Sequence, residues 1–220
     1  MLGQVPVLPG NGSSYGVSNA VAGGSLTSDV RTGQMTHPVA GVSCAANSST
    51  GSYVANHAGL SGFAAGHIVP RVDVDGAVRR VPAVVCVDGQ AYPTLAIASL
   101  LTVTQADNWQ VTIQPGEGWL APAQEMHLAS YPGLAIPLDS DGDLRISYET
   151  APTSFQAVSA IDVINGDVPQ QMLENGLVLI GATAFGMGDI VPTPYSGSTP
   201  GVELQARLLS SLLNLSLIHI

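Results

Sequence analysis

The chain has 220 residues, 45% of them apolar and 10% charged, with a formal net charge of −10 at pH 7. That length and apolar share allow one large domain or two small ones around a sizeable core, and exclude wholesale disorder. Lysine does not occur, and the cations are Arg31, Arg71, Arg79, Arg80, Arg145 and Arg207; such a chain has no electrostatic footprint for nucleic acid, and anionic membrane surfaces repel it.

The opening "MLGQVPVLPGNGSS" carries no positive charge, the first basic residue being Arg31, so it does not read as a signal peptide. No apolar run reaches about 18 residues, so this segment carries no membrane span, which still allows a membrane-anchored parent protein. A short strand is expected in "QVPVLP", residues 4–9. Residues 10–62, rich in Gly, Ser, Ala, Asn and Thr, read as short strands and long loops. Cys44 and Cys86 have neither a zinc spacing nor a CxxC arrangement. They pair if the chain is exported, and buried free thiols are the equal alternative.

From residue 63 the pattern sharpens. Asp75-Gly76 and Asp88-Gly89 are each flanked by β-branched residues, which predicts tight turns between antiparallel strands. His67, at a strand start, reads as packed or hydrogen-bonded. "PTLAIASLLTVT" is apolar nearly all round and predicts a buried helix with Pro93 in its first turn. "WQVTI" from Trp109 predicts a strand, and "LAIPLDSDGDLRISYE" a hairpin turning at Asp141-Gly142. A helix through Ala157, Ile161 and Ile164 is expected to stop at Asn165-Gly166 with a left-handed cap. Asp167 and Pro169 open a second short helix that stops at Asn175-Gly176, and Leu177–Ile180 reads as a buried strand. The last helix is expected to take Thr199 as its cap and Pro200 in its first turn, burying Val202, Ala206, Leu209 and Leu213, widened by Leu208 and Leu212. Hairpins followed by helix, strand, loop and helix imply an α/β or α+β fold, a single domain with a mixed sheet and packed helices.

"GATAFGMGDIVPTP", residues 181–194, has three glycines after the apolar run "LVLI", the setting of a phosphate loop. A Walker A loop needs a lysine, and a Rossmann fingerprint needs glycine where Val191 stands; both readings fail. The glycines then read as supplying positive φ in a tight crossover. Asp139, Asp141 and Asp143 alternate like calcium ligands, yet with Gly142 in sixth place an EF-hand would begin at Pro137 and end at Tyr148, so a polar turn is the better reading. No GxSxG, HExxH or histidine pair at helical spacing occurs, so no catalytic residue, metal site or cofactor is assigned. The candidate ligand-binding residues are Arg79 and Arg80, which should face opposite sides of a strand with one in a cleft and one in solvent, Asp189 in the glycine loop, and Glu203 in the first turn of the last helix. For each, an ion pair or cap is the plainer alternative.

Two stretches carry a resemblance. "DVDGAVRRVPAVVCVDGQAYPTLAIASL" holds a D-x-DG turn, an arginine, a proline, a second glycine turn and Tyr-Pro-Thr-Leu. "AIDVINGDVPQQMLENGLVLIGATAFGMGDIVPTPYSGSTPGVELQARLLSSLL" holds a helix ending in Gly, a "VLIGATA" strand, a Gly-Asp loop, Thr-Pro, then Pro-Gly-Val-Glu and a helix. Over residues 60–214 they resemble the CHASE2 domain family. The chain departs from the family at Gln205 and Arg207, where histidine and asparagine are frequent, and residues 1–60 look like a remnant of the domain's N-terminal half. The resemblance adds Thr193 to the candidate binding residues. It implies an extracytoplasmic sensory module of a bacterial membrane receptor, with flanking membrane helices and a cytoplasmic output such as a nucleotide cyclase or protein kinase. The implied partner is an unspecified small-molecule or environmental signal, with a homodimer as a further expectation. An enzyme with a cleft at Asp189 and Glu203, or a structural dimerising ectodomain, are the competing readings. The last six residues, "LSLIHI", match the translation of a sequencing adapter, which would place Leu215–Ile220 outside the natural chain and remove His219 from any chemistry.

Overall fold

Two Asp-Gly turns organise the best-packed part of the molecule. In the computed structural model, which describes residues 2–7, 31–45, 49–50, 52–60, 62–104, 108–149, 155–174, 176–183 and 190–218, Gly76 lies at φ 83° between β6 (Arg71–Val72) and β7 (Val78–Pro82). Asp88 and Gly89, at φ 50° and 78°, turn β8 (Val84–Val87) into β9 (Gln90–Pro93). Two successive positive φ values match the right-handed strand twist, which is why Asp-Gly closes such hairpins. Both expected hairpins are therefore present. β8 is buried along its whole length, and β7 is buried except at the half-buried Arg79 and Arg80.

Further strands precede these: β1 (Leu2–Val7), β2 (Arg31–Thr32), β3 (Ser49–Thr50), β4 (Ser52–Val54) and β5 (Ala65–His67). β1 pairs antiparallel with β4 and parallel with β5, and β3 runs parallel to β8 with Ser49 opposite Cys86. Helix α1 (Leu95–Val103) follows β9, with Ala96, Ile97, Ala98, Ser99 and Leu101 buried. Pro93 is not in its first turn. It ends β9, and Thr94, extended at φ −61° and ψ 155°, stands at the helix start with its hydroxyl donating to the His67 carbonyl. Gly66 is required here, because a Cβ would come 2.6 Å from Leu95 Cα. Ile97 is fully buried against the common core, so Ile97→Val is expected to lower unfolding free energy by about 0.5–1.5 kcal/mol in denaturant titration.

β10 (Val111–Pro115), β11 (Gln124–Leu128) and β12 (Tyr131–Leu138) form an antiparallel meander that buries Val111, Met126, Leu128, Leu134 and Ile136. The turn at Gly142 (φ 78°) is present, but its arms do not form the expected hairpin. β13 (Asp143–Arg145) leaves β12 and pairs with β7 instead, with Leu144 opposite Val81. The turn thus ties two sheets together. The physical reason is Leu144, which completes the core beside Val81 and Val78.

The C-terminal part departs most from expectation. Helix α2 (Ala160–Asn165) ends at Gly166 in the left-handed conformation, as expected, but begins after Ala157 and buries nothing. The second short helix is one 3₁₀ turn, Gln170–Met172. Leu177–Ile180 is neither a strand nor buried, and Ile180 is 91% exposed. A strand exists only as part of a sheet, and among the described residues no strand pairs with this run. Gly181 serves close approach, since a Cβ would lie 2.5 Å from Val202 Cβ; Gly186, Gly188 and Asp189 fall outside the described residues.

β14 (Ile190–Thr193) and β15 (Ser196–Pro200) form a final hairpin leading into α3 (Gly201–Ile218). Thr199 is not a cap, because its hydroxyl lies 3.1 Å from that of Thr193 across the hairpin, and Pro200 ends the strand. The buried face of α3 is Leu204, Leu208, Leu209 and Leu212 with Gln205 and Arg207, whereas Val202 and Ala206 are half-buried and Leu213 is exposed. The stripe is rotated because α3 packs on α1 on one side and on β12, β14 and β15 on the other. The architecture is mixed α+β, several small sheets and packed helices in one domain.

Candidate functional site

Cross-strand register sets the first polar cluster. Arg71 and Arg145 both stand opposite Arg80 in the sheet β6–β7–β13. Residues directly opposite share a face, and like charges there repel. Carboxylates from two turns neutralise them. Asp73 bridges both central arginines, its Oδ1 2.7 Å from Arg80 and its Oδ2 2.9 Å from Arg79. Asp75 accepts from Arg79 at 2.7 Å, and Arg80 reaches Asp139 at 3.3 Å. Arg71 pairs with the fully buried Asp143. Neither Arg79 nor Arg80 stands alone in solvent or reaches into a free cleft, because the shared Asp73 draws both into one network.

The electrostatics follow the geometry. Hydrogen bonds from Arg80 and Arg79 hold Asp73 below the usual carboxylate range, and Arg79 does the same for Asp75. Asp139 is lowered despite its partial burial, because the backbone N–H groups of Asp143 and Asp141 and the Arg80 guanidinium favour its charge. Burial raises Asp143, opposed by Arg71. Carboxylate oxygens of Asp139, Asp141 and Asp143 lie within 4.8 Å of one another. The Arg80 guanidinium sits 3.3, 3.6 and 3.8 Å from the three, so a protein cation already occupies the centre of the group. The arrangement acts as an ionic clamp between the 139–143 turn and β7.

The second cluster lies where α3 meets the sheets. Arg207 is 3% exposed. Its Nη2 donates to Glu203 Oε1 at 2.8 Å, and its guanidinium lies 5.4 Å from the Tyr148 ring centre and 5.8 Å from that of Phe155. Tyr148 donates to the Val78 carbonyl at 2.6 Å and packs 5.9 Å from Tyr195. Burial pushes its phenol up to about 12, opposed by Arg207 and Arg79. Ser211 fastens the same corner, accepting from the Ser147 N–H and donating to the Arg207 carbonyl. Replacing Arg207 with Met keeps most of the packing and removes the charge-assisted bonds to a Glu203 that retains some solvent. The expected loss is about 1.5–3 kcal/mol, read by denaturant titration, and a smaller loss for Glu203→Gln.

Tyr148 is therefore the junction between Val78 on β7 and the Glu203–Arg207 pair on α3. Thr193 is buried on β14, where its hydroxyl bonds within the 193–196 turn and to Thr199. Its contacts are those of a turn lock. Glu203 faces Arg207, and Asp189 lies outside the described residues. Tyr148 and Phe155 were not singled out from sequence. The i,i+4 spacing of Glu203 and Arg207 was the available clue to the ion pair.

One covalent bond also shapes the region: Cys44 and Cys86 form a disulfide, with a sequence separation of 42. Among the described residues no helix is long and apolar enough to cross a membrane.

Compared with known families, the chain matches the CHASE2 domain over residues 19–219. It belongs to that family, whose members are extracellular, sensory and non-catalytic domains. The match begins well before residue 60, where the sequence motifs that carry the resemblance start. No curated protein and no solved structure matches the chain.

Proposed function

We propose that the chain is the extracytoplasmic input domain of a bacterial membrane receptor that passes a signal to a cytoplasmic output module, such as a nucleotide cyclase or a protein kinase. The observation that carries this reading is the CHASE2 match over residues 19–219. Two structural features support it. The disulfide suits an oxidising compartment. The longest helix, α3, is fastened to the sheets through Arg207, Tyr148 and Ser211, so a shift in the β layer moves the helix with it and biases a conformational equilibrium. Arg79, Glu203 and Tyr148 are the side chains through which such a shift would be felt, with Arg80, Thr193 and Asp189 as further candidate contacts.

The test is the complete reading frame that contains these residues. Flanking membrane helices and a cytoplasmic cyclase or kinase module are expected, and a frame without any membrane helix would contradict the proposal.

A further inference from the structure

A concavity lies away from both polar clusters. His37, Leu101, Thr102, Asn108, Trp109 and Gln110 line most of an open cleft of about 710 Å³, within the size range of small-molecule sites. Backbone bonds hold its two walls together. Ala40 donates to the Trp109 carbonyl at 2.8 Å, Val111 donates back to Ala40 at 2.9 Å, and Val39 donates to Ala91 at 2.8 Å. This zipper sets the His37 ring 5.3 Å from the Trp109 indole.

His37 is unusual in two ways. Its φ is 59°, in the left-handed region that a non-glycine residue seldom adopts, and it precedes Pro38, which further restricts its backbone. Strain of this kind persists only where the surroundings impose it, and it gathers at binding sites. In addition, its Nδ1 is buried without a hydrogen-bond partner. Asn108 and Gln110 are exposed residues of the lining. Each offers a donor and an acceptor, and the indole offers an N–H beside an apolar ring. None of the described lining residues is Asp, Glu, Lys or Arg.

We propose that this cleft binds a neutral carbohydrate. Sugar hydroxyls both donate and accept, as do amides and imidazole, and the C–H face of a sugar ring suits the exposed part of the indole. With no charged group among the described lining residues, a charged ligand would lose hydration with no counter-charge from them to replace it. Its role as the input of a receptor rests on the reading above, whereas binding itself does not.

Trp109 and Trp119 are the two tryptophans, and Trp119 is 96% exposed. Trp119→Phe therefore leaves Trp109 as the single tryptophan, whose emission is followed under selective tryptophan excitation. Titrating this variant with neutral hexoses and disaccharides should give a saturable change in emission at millimolar concentration or below. The matching uronic acids and amino sugars, and a free nucleobase, should bind at least about tenfold more weakly. Asn108→Ala with Gln110→Ala, both at exposed positions, should weaken the sugar about tenfold or more with the thermal midpoint unchanged. No saturable change with any neutral sugar in a protein shown to be folded would overturn the proposal. Unaltered affinity in the double variant, or preference for a charged sugar or a nucleobase, would do the same. Sugar binding by a chain whose reading frame has no membrane helix would sink the receptor reading and leave the site standing; the reverse outcome would sink the site alone.

Discussion

Lowering the pH from 6.5 to 5 is expected to remove about 2 kcal/mol of stability through a single side chain, His67. The ring, carried by β5, is completely buried. Burial lowers its pKa from 6.5 to about 3, opposed by a weaker hydrogen bond with the Pro82 backbone. The sign follows from linkage: above pH 6.5 the ring is neutral in both folded and unfolded chains and adds no pH dependence. Below 6.5 the unfolded chain takes up a proton that the folded chain refuses, so stability falls by about 1.4 kcal/mol per pH unit. The fall continues to about pH 3, where the folded ring also protonates, and totals about 5 kcal/mol. The ionic clamp adds its own losses only at lower pH, as Asp73 and Asp139 take up protons. Denaturant titration at pH 7, 6 and 5 on the parent and on His67→Leu separates the two. The variant should lack most of the slope in this range. An unchanged slope in the variant would contradict this account of His67.

Replacing both cysteines, as Cys44→Ala with Cys86→Ala, is expected to lower stability by about 4 kcal/mol. The bond closes a loop spanning 42 positions, and chain-entropy loss in the unfolded state rises with loop length. Cys86 lies on the fully buried β8, so the bond also ties Cys44 to the strand with which β3 pairs. Thermal melting with and without a reductant gives the same comparison without mutation. Equal midpoints, with the thiols shown to be free after reduction, would contradict it. The bond further implies that the native protein matures where disulfides persist, consistent with the extracellular character of the family.

How much of this was legible in the sequence depends on how local each cause is. The Asp-Gly turns, the Gly166 cap and α1 were readable, because turn chemistry and all-round apolarity act within a few residues. The fate of β13 was not. "DLRIS" reads equally well as the second arm of a hairpin with β12 or as a partner of β7, and only the place for Leu144 in the core decides. The apolar run Leu177–Ile180 carried a strand pattern, yet pairing is a property of neighbours, and none of the described strands lies beside it. Pro93 and Pro200 sit before helices in patterns that suit a first turn. Each instead ends a strand, which the fixed φ of proline also permits. In the site, the arginine pair was conspicuous. Asp73 as a shared partner was not, since spacing shows which residues are close but not that one carboxylate's two oxygens serve two guanidiniums. Tyr148 was invisible for a similar reason: nothing local marks a tyrosine that bonds a carbonyl 70 positions away.

The central claim is that this domain stands outside the cytoplasmic membrane as the sensing part of a larger protein. Val74 is fully exposed at the tip of the β6–β7 turn and both native cysteines are bonded to each other, so Val74→Cys adds one reactive thiol. In the full-length protein in cells with an intact cytoplasmic membrane, a thiol reagent that cannot cross that membrane should label this position. Labelling only after the cytoplasmic membrane is opened would contradict the account.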